Sequence, residues 1–286
     1  MVLLESEFRS HIPDPASDPE GESYAFYSSF YNLDTKNAKN KLWRNKEDSP
    51  DLSRTSLIKR VHPYINALPK DSYVLDLGAG RQILEKEWKD IYDIKPPCQV
   101  VTLDIASIPK ASLLAKDYEH VQATGGTLPF RDEQFNAVVS NMAFDFMPSQ
   151  ALAETYRIAK PGGLVFLNLH HPSLVNYDIN RELSKLRRKI RHKTAANSEI
   201  SEQKKLKFAV YRYHEYLRDN NKLFKTADQI RSHFGEGGFN ASRIDLNSDG
   251  NDTWWEVDLV KPSTNKNESL PLAGTIFDGS ARSIIK

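Results

Sequence analysis

The chain has 286 residues, 39% of them apolar and 27% charged, with a formal net charge of +1. That length suits one large α/β domain with elaborations, and the balanced charge gives no global attraction for nucleic acid or an acidic partner. The single cysteine, Cys98, excludes an intrachain disulfide and a thiolate-rich zinc site.

The opening "MVLLESEFRS" carries glutamates and lacks the apolar core of a signal peptide. No apolar run approaches the roughly 20 residues of a membrane span, so a soluble, cytoplasmic protein is expected. Residues 13–22, "PDPASDPEGE", read as a loose arm. The aromatic "YAFYSSFY" of Tyr24–Tyr31 reads as a short helix, either a lid over a ligand site or a piece packed outside the sheet. Residues 1–48 are thus an N-terminal arm and cap. A helix is expected from Ser49 to Leu68, with Asp51 or Ser53 as N-cap and Pro69 just beyond its end.

Short apolar runs then alternate with helical stretches. Strands are expected at Val74–Leu77, Val100–Asp104, His120–Ala123, Ala137–Asn141 and, after a "KPGG" turn, Leu164–Leu169. Helices are expected at Ile83–Ile91, Ser107–Lys116 and Gln150–Ile158. Residues 178–225 break the rhythm as a basic helical insertion placed before a sixth strand. Beyond it come a helix at Thr226–Phe234, a strand at Ala241–Leu246 and a strand over Thr253–Lys261 that closes the sheet. The main domain therefore spans 49–261, and 262–286 is a polar tail or linker.

Strands alternating with helices imply βαβ units and a parallel sheet covered on both faces. Right-handed crossovers place the strand C-terminal ends on one edge, where ligands bind near the reversal of strand order. Asp76, Asp104, Asn141 and His170 all fall at or just after such ends, which makes four scattered polar residues one candidate site.

The stretch "YVLDLGAGRQILEKEW", Tyr73–Trp88, ends a strand with a carboxylate and two spaced glycines before a helix. Glycines let the chain turn tightly and let a ligand approach without a Cβ in the way. A dinucleotide fingerprint needs a third small residue where Ile83 stands. A P-loop needs a Gly-Lys-Ser/Thr that is absent. The Asp76 carboxylate suits a cationic ligand group better than a pyrophosphate.

On these residues the sequence resembles the class I S-adenosylmethionine-dependent methyltransferases. "DLGAG" at Asp76–Gly80 matches the family's first strand end, and Asp104 in "VVTLDIA" matches the acid after its second strand. "LPF" at Leu128–Phe130 and "KPGG" at Lys160–Gly163 follow in family order, and "GEGGFNASRIDL" is similar to a later helix-to-strand passage. The resemblance implies a Rossmann-like, mostly parallel seven-stranded sheet with helices on both faces. It also implies S-adenosyl-L-methionine as cofactor, with Asp76, Gly78 and Gly80 on its methionine part and Asp104 on its ribose. Thr124, Gly125 and Asn141, with Ser140 beside it, would surround the adenosine. Three departures stand out: Gln82 occupies the place of a third glycine, Asp104 lies further from the turn than usual, and Thr124–Gly125 replace an acid near the adenine.

Methyl transfer to oxygen or nitrogen calls for a base near the same edge. His170 and His171, directly after the fifth strand, are the candidates, with local packing as the plainer account. Asp145 in "SNMAFDFM" is either a second base or the cap of the next helix. Adjacent Trp254 and Trp255 suggest one buried ring and one facing out. Lysines and arginines over 181–193 form a solvated face, an acceptor lid, or a phosphate contact. The function read from this pattern is methyl transfer to a small-molecule or short-peptide acceptor. The alternatives are an RNA or protein methyltransferase using the basic insertion, or a non-catalytic binding module.

Overall fold

A computed structural model describes residues 52–108, 110, 113–115, 117–173, 223–249 and 252–263. The arm and cap, the basic insertion up to residue 222 and the tail from 264 lie outside the described residues. Four helices and seven strands make up the described fold: α1 Leu52–Asn66, β1 Tyr73–Leu77, α2 Ile83–Tyr92, β2 Gln99–Asp104, β3 Glu119–Gln122, β4 Phe135–Asn141, α3 Gln150–Ile158, β5 Ala159–His170, α4 Ala227–Glu236, β6 Asn240–Asp249 and β7 Asp252–Val260. A single 3₁₀ turn, Phe144–Phe146, separates β4 from α3.

The seven strands form one sheet in the order β3-β2-β1-β4-β5-β7-β6. The first five strands pair in parallel, while β7 runs antiparallel to both β5 and β6. The chain leaves β1 toward β2 and β3, then returns to β4 on the other flank. The reversal of strand order therefore falls between β1 and β4, and in open α/β sheets ligands bind beyond the carboxyl ends of the strands at such a point. The expectation that the Thr253–Lys261 strand closes the sheet is corrected: β7 slots between β5 and β6, and β6 is the edge.

Alternate strand residues face opposite layers, and both are apolar. On one face Leu75, Leu77, Val101, Leu103, Val138, Leu167 and Val257 pack with Ile158 of α3 and Ile230 and Phe234 of α4. On the other, Val74, Ala137, Val139 and Phe166 meet Leu57, Ile58, Val61 and Ile65 of α1 and Leu84 and Trp88 of α2. Burial of each such side chain contributes about 1.5–3 kcal/mol before chain entropy is counted. Trp254 and Trp255 are both buried, at 5% and 6% exposure, so the expectation of one outward ring fails. Neighbours on a strand point to opposite faces, and both faces are covered here.

Local chemistry sets the boundaries. Thr226 caps α4 with a complete capping box: its side chain accepts from Gln229 N, and the Gln229 side chain accepts from Thr226 N. Ser53, expected as an N-cap, instead lies inside the first turn of α1 and faces β4 and β5. The "KPGG" stretch does not precede β5 but interrupts it: Phe135 pairs with Ala159 and Ala137 with Leu164, and residues 160–163 bulge out between. Gly162, at φ 74, makes that bulge possible. Of the expected helix Ser107–Lys116, the described residues 107, 108 and 113–115 are not helical.

α1 is fastened to the sheet by polar as well as apolar contacts. Arg60, its side chain 4% exposed, pairs with Glu256 Oε2 at 3.0 Å and Asp258 Oδ1 at 2.8 Å on β7. It also donates to Leu167 O and Asn168 Oδ1 on β5. Arg243 of β6 reaches Glu256 Oε2 from the edge at 3.0 Å. Among the described residues no helix is long and apolar enough to cross a membrane.

Candidate cofactor and active site

The glycine turn after β1 is built on β2. Gly78 and Gly80 have left-handed φ values of 81° and 53°, which an L side chain resists. Gly78 N and Ala79 N both donate to Leu103 O, at 2.8 and 2.9 Å. Gly80 N donates to Asp104 Oδ2 at 2.8 Å. Three successive amides are thus spent on β2, so a pyrophosphate would find them already engaged. The donor set fits a nucleoside cofactor without phosphates, held by side chains.

Gln82 shares the left-handed geometry, at φ 63°, in the place of a third glycine. It is fully buried, and its Nε2 donates to Thr102 Oγ1 at 3.0 Å and Tyr118 O at 3.4 Å. Those bonds offset the backbone strain, which explains how glutamine replaces glycine.

Asp76 is 2% exposed at the end of β1. Glu85, from the first turn of α2, sits beside it. Burial, then the Glu85 charge, push the Asp76 carboxyl well above the ordinary carboxylate range, and burial raises Glu85 as well. Sequence reading passed over Glu85. Its signal was an acid next to Leu84 on the helix face that buries Trp88.

Asp104 accepts from Gly80 N through Oδ2 and from Ala106 N through Oδ1, the latter at 2.9 Å. Burial raises its pKa against the opposing pull of these N–H groups. Thr124 Oγ1 accepts from Gly126 N at 3.2 Å. Gly125 is buried, and a Cβ there would stand 2.8 Å from Met147 Sδ. A Cβ at Gly78 would stand 2.5 Å from Ala143 Cβ and 3.1 Å from Met147 Cε. Both glycines therefore make room for the segment after β4.

Asn141 Oδ1 accepts from Asn168 Nδ2 at 3.0 Å and from Ser53 Oγ at 3.5 Å. Ser140 Oγ donates to Leu77 O at 2.7 Å and ties β4 to β1. Met142 takes φ 54°, and its N donates to Asn168 O.

The 3₁₀ turn that follows carries Asp145 to His170. Asp145 Oδ2 accepts from His170 N at 2.8 Å and lies 2.8 Å from His170 Nδ1. Both side chains are buried. Burial alone would raise Asp145, but the His170 imidazole and its hydrogen bonds hold it below its ordinary value. Asp145 is therefore the partner of His170 and not the cap of α3. The Asp145 carboxylate is placed to accept from Nδ1–H and so to orient the ring. The Phe146 ring stands edge-on to His170 at 4.8 Å.

His171 is not part of this pair. Its Nδ1 meets Ser173 Oγ at 2.7 Å, its ring lies 5.5 Å from Trp255, and burial lowers its pKa. The structure thus gathers Asp76, Gly78, Gly80, Asp104, Gly125, Asn141, Asp145 and His170 along the carboxyl edge. Residues 181–193 lie outside the described residues. No group of three or more metal-ligating side chains occurs among the described residues.

Residues 75–167 match the family model of a methyltransferase domain. No curated protein matches the chain. Solved structures with a similar fold include *Burkholderia thailandensis* 1,6-didemethyltoxoflavin-N1-methyltransferase with bound 1,6-didemethyltoxoflavin and S-adenosylhomocysteine (11% identity, 88% of this chain and 94% of that one, TM-score 0.54). Magnesium protoporphyrin IX methyltransferase from *Synechocystis* PCC 6803, with bound S-adenosylhomocysteine, is 12% identical over 84% of this chain and 99% of that one (TM-score 0.51). A chain from a *Haloferax volcanii* complex containing the Trm112 methyltransferase activator is 15% identical over 85% of this chain and 99% of that one (TM-score 0.52). Residues 75–167 are thus similar to a methyltransferase domain, and the seven-stranded sheet around them has the fold of these solved methyltransferase structures.

Proposed function

We propose that this chain binds S-adenosylmethionine beyond the carboxyl ends of β1 and β4 and transfers its methyl group to an oxygen or nitrogen of a small-molecule or short-peptide acceptor. The observation that carries the catalytic part is the buried Asp145–His170 pair on the segment that abuts the glycine turn. In this reading Asp76 faces the methionine end, Asp104 the ribose, and Thr124, Gly125 and Asn141 the adenosine. When bound, the cofactor would supply an electrophilic methyl on a sulfonium whose leaving group is a neutral thioether.

The protein then has two tasks. It holds the acceptor atom in line, and it takes up the proton that the acceptor loses. His170 Nε2 takes that proton, and Asp145 fixes the ring's tautomer and stabilises the imidazolium that forms. The names of the *Burkholderia* and *Synechocystis* proteins, which act on small molecules, agree with a small acceptor.

The test is calorimetric titration with S-adenosylmethionine and S-adenosylhomocysteine, followed by a tritiated-methyl acceptor screen of the native protein and His170→Gln. The reading expects micromolar binding, transfer to at least one small molecule or peptide, and roughly 10²-fold or greater loss in the variant. Transfer only to RNA or intact protein would replace the acceptor class. Binding without transfer to any acceptor would make the chain a cofactor-binding module.

A further inference from the structure

Six carboxylates are buried among the described residues, and four of them are matched. Asp104 has two backbone N–H donors, Asp145 has His170, and Glu256 and Asp258 share Arg60. The Asp76–Glu85 pair differs. No cationic side chain pairs with either residue, and their carboxyls hydrogen-bond to each other, although the two residues are 2% and 3% exposed. Two adjacent carboxylates cut off from water cannot both stay ionised at low cost. One proton between them resolves the conflict, and so does an arriving cation.

The surrounding charges do not settle it. Asp104, from β2, adds repulsion, and Arg54, from α1, opposes it from a distance while paired with Glu87. The Tyr118 hydroxyl, from the loop before β3, is buried near Glu85 and has no hydrogen-bond partner. The pair lies on the sheet face and strand edge that carry the glycine turn. A positively charged ligand group suits it better than a neutral or anionic one.

We propose that Glu85 is a second acidic residue of the cofactor site, sharing one proton with Asp76 in the empty protein, and that this proton leaves when the ammonium of the methionine end docks against the pair. The inference rests on the S-adenosylmethionine reading and adds to it a residue and a proton. The step balances: the carboxyl O–H breaks, the proton passes to buffer, and the anion left behind accepts N–H donors from the ligand's ammonium.

The experiment is isothermal titration at about pH 6.5, where the ligand's α-ammonium stays protonated, in buffers of different ionisation enthalpy. S-adenosylmethionine, S-adenosylhomocysteine and 5′-methylthioadenosine are compared on the native protein and on Glu85→Gln. About one proton should be released per amino-acid-bearing ligand, with none for methylthioadenosine and near zero for the variant. An infrared carbonyl band of a protonated carboxyl, lost on ligand addition, gives a second reading on native protein alone. Binding without proton release, or release unchanged in Glu85→Gln, overturns the inference and leaves the cofactor assignment standing. Failure of all three ligands to bind overturns that assignment itself.

Discussion

Gly80 N donates to Asp104 Oδ2 at 2.8 Å, so the acid at the end of β2 holds the glycine turn at the end of β1. Asp104 is a structural clamp before it is a ligand contact. Asp104→Ala should strip acceptors from two buried N–H groups and destabilise the fold by about 2–6 kcal/mol, at about 1–3 kcal/mol for each donor left unsatisfied. Urea denaturation checks this, and full stability in the variant would break the clamp. Asp104→Asn keeps one acceptor and should cost about half as much.

Gly125 and Met147 form a matched pair. Gly125→Ala places a methyl 2.8 Å from Met147 Sδ, and such overpacking costs about 1–3 kcal/mol. Adding Met147→Ala removes the clash, so the double variant should recover part of the loss that Gly125→Ala causes in the Met147 background. A thermal-melt double-mutant cycle measures that coupling. Strict additivity would mean the glycine serves something other than the segment after β4.

Arg60 is the cation on which two buried acids of β7 depend. Arg60→Met should destabilise by roughly 3–5 kcal/mol by leaving Glu256 and Asp258 with fewer counter-charges. Adding Glu256→Gln and Asp258→Asn should restore part of that loss. A loss under about 1 kcal/mol in the single variant would show that Arg243 alone suffices.

Three buried acids pull stability in two opposite directions with pH. Asp145 is depressed in the folded state, so its contribution is present above the unfolded carboxylate value of about 4 and fades as pH falls through the folded value. Asp76 and Glu85 are raised, so their contribution is full below about 4 and is lost as pH rises toward neutrality. Glu85→Gln should therefore gain stability at pH 7 relative to native protein and lose that advantage near pH 4. Chemical denaturation across this range tests the sign, and a constant difference would refute the proton-sharing pair.

Apart from the helix expected over Ser107–Lys116, strand and helix positions from Val74 to Ile158 were legible because each buried strand is a short apolar run and each helix carries an apolar stripe. Those periods follow from backbone geometry alone. The glycines and acids at the strand ends were legible for a related reason: a tight turn at a strand's carboxyl end admits few residue types. The order of β6 and β7 was not, because both alternate similarly and only packing against β5 decides which one lies inside. Residues 160–163 read as a turn before the strand, since glycine marks a bulge and a turn alike.

The sequence by itself determined the α/β class, the glycine turn, and the alignment of Asp76, Asp104, Asn141 and His170 on one edge, because strand polarity and side-chain alternation are local properties. Tertiary structure alone decided that Asp145 belongs to His170, that His171 stands apart, and that Glu85 joins Asp76. The two pairings span 25 and 9 residues along the chain. They arise where separate elements meet, and burial at those meeting points sets which charges have partners.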